Sequence, residues 1–208
     1  MTARAAILAL AALTILTPGA TAALPAACTP SGSSVVDGQV VRWQRAYWFC
    51  ATEPRRLEPL PVPAGARSVG NVVARGRFMA FSYYLPLRSC DDSAAGARSI
   101  DLRTGAVRYD LAPYTGCVHV YGWYVSDVAL RPDTGAFAVI RGMQDMEDDL
   151  GHAAVIRVNG AGVRVLDHQE DSTSAGNARR HRIMPYSLSY SGHRLRWRHL
   201  HGPQTGRM

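Results

Sequence analysis

"VSDVALRPDTGAFAVI", residues 125 to 140, alternates apolar with smaller or polar side chains up to Leu130, breaks at Arg131-Pro132-Asp133-Thr134-Gly135, and resumes as an apolar run to Ile140. Successive side chains of a strand point to opposite faces, so Val128, Leu130, Phe137 and Val139 are core candidates on one face of a hairpin. Asp133-Thr134-Gly135 is its turn, with the glycine offering the positive φ that a tight reversal requires.

The pattern recurs. Aligning "NVVARGRFMAF" from Asn71, "DVALRPDTGAFAVI" from Asp127 and "YSLSYSGHRLRW" from Tyr186 superposes Gly76, Gly135 and Gly192, at spacings of 59 and 57 residues. The hairpins that follow also align, with Ile100 and Val107 each 56 residues before Ile156 and Val163. A shorter copy stands in front, "VVDGQVVRW" followed by "AYWFCATEPRRLEPLP". Further turns are expected at Asp37-Gly38, Thr104-Gly105, Asn159-Gly160 and Ser191-Gly192. Outside the first 22 residues no stretch of ten carries a helical stripe; "MQDMEDDLGHAA" reads as a loop, and residues 169–182 as a polar linker. The expected fold is all-β: antiparallel four-stranded repeats in units at about 35–62, 67–113, 124–168 and 183–208, within one domain from 23 to 208.

Arg131-Pro132-Asp133-Thr134-Gly135-Ala136-Phe137-Ala138 and Ile100-Asp101-Leu102-Arg103-Thr104-Gly105 resemble the blades of bacterial secreted β-propellers of the WD-repeat and periplasmic type. The resemblance covers most of residues 35 to 200 and implies a small or partial propeller-like array. It carries no catalytic motif, because such blades serve unrelated functions. A β-sandwich is the alternative, since any antiparallel fold alternates and turns at glycine. Closed propellers have four to eight four-stranded blades, and this chain holds about three and a half. Residues 23 to 36 are candidates for the missing outer strand of the last unit; otherwise the array stays open.

The start of the chain, with Arg4, an apolar run from Ala5 to Leu16, Pro18-Gly19 and small residues at Ala20 and Ala22, has the form of a signal peptide cleaved near Ala22. Twelve apolar residues fall short of the roughly 20 that a spanning helix needs, so no transmembrane segment is expected in the mature chain. Lipid attachment at Cys28 is disfavoured, because Leu24 stands four residues before it instead of three. Export makes Cys28, Cys50, Cys90 and Cys117 disulfide candidates, preferably as Cys28–Cys50 and Cys90–Cys117, although three connectivities are open.

Every basic residue among the 23 is Arg, and from residue 151 onward nine Arg face three acids. A basic face at that end would favour anionic partners. The anion-binding candidates are Arg179, Arg180 and Arg182 in the linker with Arg194, Arg196 and Arg198 in "HRLRWRHLH", where Leu195, Trp197, His199 and His201 would take the opposite face. Nucleic acid is not the expected partner, since no aromatic residues interleave with this cluster for base stacking. Trp43, Tyr47, Trp48, Phe49, Tyr121, Trp123 and Tyr124 are core aromatics or, if exposed, a sugar platform.

The chain has no nucleophile elbow, zinc-protease motif, phosphate loop or dinucleotide fingerprint. Asp91, Asp92, Asp145, Glu147, Asp148 and Asp149 follow aligned strands; gathered on one rim, these carboxylates could hold Ca²⁺. No other cofactor is implied. The leading expectation is a secreted, non-enzymatic binding or scaffolding module for an extracellular protein or anionic polymer, with a small extracellular hydrolase using the loop carboxylates as the alternative. The hydrolase would converge acids in a pocket, whereas the module would present an exposed patch and bury no ionisable group.

Overall fold

The computed structural model describes residues 24–86, 93–113, 123–143, 153–169, 182–200 and 202–207. These residues form four antiparallel sheets, each a meander in chain order and none closed into a barrel. The first holds β1 (Ser34–Val35), β2 (Val40–Trp43), β3 (Ala46–Thr52) and β4 (Arg55–Pro59). The second holds β5 (Ser68–Arg75), β6 (Phe78–Pro86), β7 (Ser93–Asp101) and β8 (Val107–Leu111), and the third β9 (Trp123–Leu130), β10 (Phe137–Met143), β11 (Ala153–Asn159) and β12 (Gly162–His168). The fourth has three strands, β13 (Ser189–Ser191), β14 (Arg194–His199) and β15 (Gly202–Arg207). The protein is all-β and its repeat is the sheet. The arrangement fits a small propeller-like array as well as a sandwich-type packing of successive sheets.

The hairpin at 125–140 shows how the sheets combine. Phe137 lies opposite Leu130 and Val139 opposite Val128. All four are buried, with Val125, against Phe78, Ala80 and Ala97 of the second sheet. The alternate residues Ala129, Ala138 and Ile140 are buried as well, against Leu195 and Trp197 of the fourth and against Ile183, which bridges to His199 of β14. Burial on both faces is why residues 136–140 read as an unbroken apolar run. The second sheet follows the same rule. Met79, Phe81 and Tyr83 pack on Val40 and Phe49 of the first sheet, whereas Ala80, Ala95 and Ala97 face the third. Each of the three cores is shared by consecutive sheets.

The aligned glycines have one structural cause. Gly38, Gly76, Gly135 and Gly192 occupy the first turn of the four sheets in the left-handed region, at φ of 71°, 59°, 74° and 58°. Neighbouring first turns touch: a Cβ on Gly76 would lie 3.0 Å from the Pro132 carbonyl oxygen. Gly105 (φ 70°) serves the third turn of the second sheet. In the third sheet the turn comes where expected, through Gly160 and Ala161 between the paired Asn159 and Gly162, with the Ala161 N–H donating to Asn159 Oδ1 (3.0 Å), but the positive φ falls on Gly162 (104°) and not on Gly160.

Polar side chains link successive sheets. Asp37 Oδ2 accepts from the Val72 N–H (2.9 Å), Asn71 Nδ2 donates to the Val125 carbonyl (2.5 Å), and Asp127 Oδ2 accepts from the Leu188 N–H (2.6 Å). Asn71 and Asp127 start the aligned repeats, and each stands where its strand slips register. The slip turns a side chain out of the alternation and toward the next sheet.

Residues 24–36 do not complete the last unit. Ser34 and Val35 pair with Arg42 and Val41 of the first sheet, and the 3-10 turn Ala26–Cys28 is joined to β3 by the Cys28–Cys50 disulfide, with Cα atoms 5.5 Å apart. Cys28 and Val41 are both fully buried. This segment therefore serves the first sheet. The fourth sheet is extended instead by β15, "GPQTGR", which Pro203 and two glycines conceal in the sequence. An edge strand tolerates these residues, because one row of its backbone groups pairs with nothing in the sheet. Cys90 and Cys117 lie outside the described residues, as do positions 1–23, on which the expectation of a signal peptide falls.

Candidate anion-binding face

β14 alternates strictly: Leu195, Trp197 and His199 are buried, and Arg194, Arg196 and Arg198 are exposed. Specific contacts fix this roll. The Asp167 carboxylate of the third sheet accepts from Trp197 Nε1 (2.6 Å) and pairs through the same Oδ2 with His199 Nε2 (2.6 Å). Gly206, opposite Leu195 on β15, leaves room for the indole, whose ring would sit 3.1 Å from a Cβ there. With the inner residues tied down, the three guanidinium groups project from the other face.

On that face Arg194 stands opposite Arg207 of β15 and Ser191 of β13, and Arg196 opposite Thr205 and Ser189. All of these residues are exposed. Along β14 the arginines recur about 7 Å apart, two residues of strand rise. No Asp or Glu occurs after Asp171. Five guanidinium groups elsewhere are paired with acids, Arg56 with Glu58, Arg77 with Asp101, Arg98 with Asp110 (2.8 Å), Arg103 with Glu53 (3.4 Å) and Arg131 with Asp133 (2.7 Å), whereas other exposed arginines such as Arg42, Arg75 and Arg108 have no acidic partner among the described residues. Arg194, Arg196, Arg198 and Arg207 have no such acidic partner among the described residues.

Of the six arginine candidates, Arg182, Arg194, Arg196 and Arg198 are described. Arg182 is exposed beside the bridge between Ile183 and His199, and its charge acts on the Tyr124 phenol of β9, partly offsetting the upward push that burial gives Tyr124. Arg179 and Arg180 lie outside the described residues, as does His201. Asp91, Asp92, Asp145, Glu147, Asp148 and Asp149 lie outside them too. Their flanking strands are equivalent, β6–β7 and β10–β11. Among the described residues no group of three His, Cys, Asp or Glu side chains is placed to hold a metal.

The expectation that a binding module buries no ionisable group needs correcting. Asp101 and His199 are buried, and Asp127 is largely so. Each is bound structurally: Asp101 to Arg77 and the Arg103 N–H, His199 to Asp167, and Asp127 to the Leu188 and Val128 N–H groups. Desolvation raises the Asp127 carboxyl above its ordinary range, opposed by those two N–H donors. Tyr83, desolvated beside Asp110, is pushed up to about 12. The Tyr190 phenol is also raised by burial, and neither its hydroxyl nor Arg157 Nε has a hydrogen-bond partner among the described residues.

The aromatic groups divide. Tyr47 and Phe49 belong to the first core, whereas Trp43 and Trp48 are half-buried on the opposite face, ring centroids 5.5 Å apart, with Trp48 Nε1 donating to the Trp43 carbonyl (3.2 Å). Tyr121 and the Trp123 side chain lie outside the described residues. Sequence reasoning missed Asp167 and Arg207. An aspartate two residues before a polar linker carries no local mark of a cross-sheet partner, and Arg207 lay in a stretch not read as a strand. No family model, curated protein or solved structure matches this chain.

Proposed function

We propose that the chain is a secreted, non-enzymatic binding or scaffolding module of the propeller-like kind, and that it binds through the free face of its fourth sheet. One observation carries the reading: Arg194, Arg196, Arg198 and Arg207 stand exposed in one array, without acidic partners among the described residues, on the face where earlier sheets receive a neighbour. The Cys28–Cys50 disulfide supports export, since such bonds persist in oxidising compartments. The described carboxylates Asp37, Asp101, Asp110, Asp127, Asp133 and Asp167 are engaged in backbone bonds and ion pairs, which supports binding over acid–base work.

The test is capture of partners from the extracellular fraction by the immobilised protein and by an Arg194→Ala/Arg196→Ala/Arg198→Ala variant. The three positions are solvent-exposed, so the variant should fold with an unchanged melting temperature and lose capture. Undiminished capture by the folded variant would refute the assignment of this face.

A further inference from the structure

We infer that the ligand of this face is a linear acidic polysaccharide, carboxylated or sulfated, lying along β14; the inference rests on the binding role proposed above. The arrangement is a row. Arg194, Arg196 and Arg198 span about 14 Å in two steps of about 7 Å, so a small anion meets one guanidinium while an extended polyanion meets all three. The planar guanidinium fork matches carboxylate and sulfate oxygens two at a time.

The neighbours of the row favour a sugar. Ser191 and Ser189 stand opposite Arg194 and Arg196 on one side, and Thr205 opposite Arg196 on the other, so exposed hydroxyl groups flank the charges where saccharide hydroxyls would lie. The aromatic residues of this sheet, Tyr190 and Trp197, pack inward with the third core, which leaves no described ring on the free face to stack a base. Within the strands the exposed positions of the face are Arg, Ser, Thr and one Pro, and the exposed apolar side chains Leu200 and Tyr186 lie outside them, so the row itself offers no apolar stripe for a bilayer interface.

A second observation also favours an anionic ligand. Arg194 and Arg207 are direct cross-strand partners, and like charges directly opposite destabilise a sheet. An acidic group held between them would turn that repulsion into a bridge.

Biolayer interferometry of the full mature chain on immobilised polygalacturonate and on heparin, at low and physiological salt, tests the inference and separates carboxylate from sulfate. Binding is expected to at least one polymer, to weaken roughly tenfold or more between 50 and 200 mM salt, and to vanish in the triple Ala variant. The Ser189→Ala/Thr205→Val variant should weaken polysaccharide binding several-fold and leave any binding to polyglutamate or anionic vesicles unchanged. Stronger binding to polyglutamate or phosphatidylglycerol vesicles than to both polysaccharides would overturn the ligand assignment. So would no polysaccharide binding alongside arginine-dependent capture from the extracellular fraction, an outcome that leaves the binding face standing. Polysaccharide binding and capture both unaffected in the triple Ala variant would overturn the ligand and the face together.

Discussion

The ring of Phe78, at the start of the second sheet's second strand, lies 2.7 Å from the point that a Cβ on Gly135 would occupy. Gly135 also holds a φ of 74°, so an alanine there meets both backbone strain and a buried ring. Gly135→Ala should cost about 2–4 kcal/mol, the sum of a left-handed penalty and overpacking. Gly192→Ala shares the positive φ but meets nothing within 4 Å, and should cost only about 1–2 kcal/mol. Equilibrium urea unfolding of the two variants measures the difference, and equal losses would remove Phe78 from the explanation.

Asp167 satisfies two buried donors of the fourth sheet through one oxygen. Asp167→Ala strands Trp197 Nε1 and takes the carboxylate from His199, at a cost of about 2–4 kcal/mol. Trp197 is 4% exposed, so loosening of the sheet should appear as a red shift and greater quenching of its emission. A Trp197→Phe background identifies the responsible indole; an unchanged spectrum in Asp167→Ala would show that the carboxylate does not hold the sheet.

The pH response follows from Asp127. Burial raises its carboxyl in the folded state, so between the ordinary aspartate range, about 4, and the raised value the folded protein binds a proton that the unfolded chain does not. Stability from this group therefore grows as pH falls through that window and declines as pH rises out of it. Asp127→Asn removes the dependence while keeping an oxygen for the Leu188 N–H. Unfolding free energies of both proteins from pH 4 to 7 should diverge with that sign; parallel curves would refute the linkage.

Cys28 and Cys50 close a loop with a sequence separation of 22, which on chain-entropy grounds stabilises by about 3 kcal/mol. Cys28→Ser/Cys50→Ser should lower the urea midpoint accordingly and render residues 24–33 sensitive to proteases, because the segment over Val41 loses its tether. A reductant should reproduce this in the wild type and change nothing further in the double variant.

How far these features could be read in advance depended on whether their cause was local. The hairpin at 125–140 was legible because alternation and a turn glycine are written in adjacent residues. Gly76, Gly135 and Gly192 marked the repeat because each sheet needs one left-handed residue at its first turn. The exposed row in β14 was legible from its period of two. The bonds from Asn71 and Asp127 were not, since they arise at register slips that bring together residues 54 and 61 positions apart. β15 was hidden because its glycines and Pro203 signal a turn, and only pairing with β14 makes it a strand. The composition of residues 23 to 36 allows either end of the array, which made them a candidate for the last unit; the pairing of β1 with β2 and the bond to Cys50 place the described part with the first sheet.

Each sheet that covers its predecessor presents a new surface on which another could settle, so a repeat of this kind contains no internal reason to stop. Here the two ends are finished by different chemistry: a covalently held strip of chain over the first sheet, and a field of positive charge on the last. Two molecules brought together by their arginine ends repel, with a reach of about 10 Å at 0.1 M salt. Ionic strength, rather than shape, decides whether separate molecules keep apart.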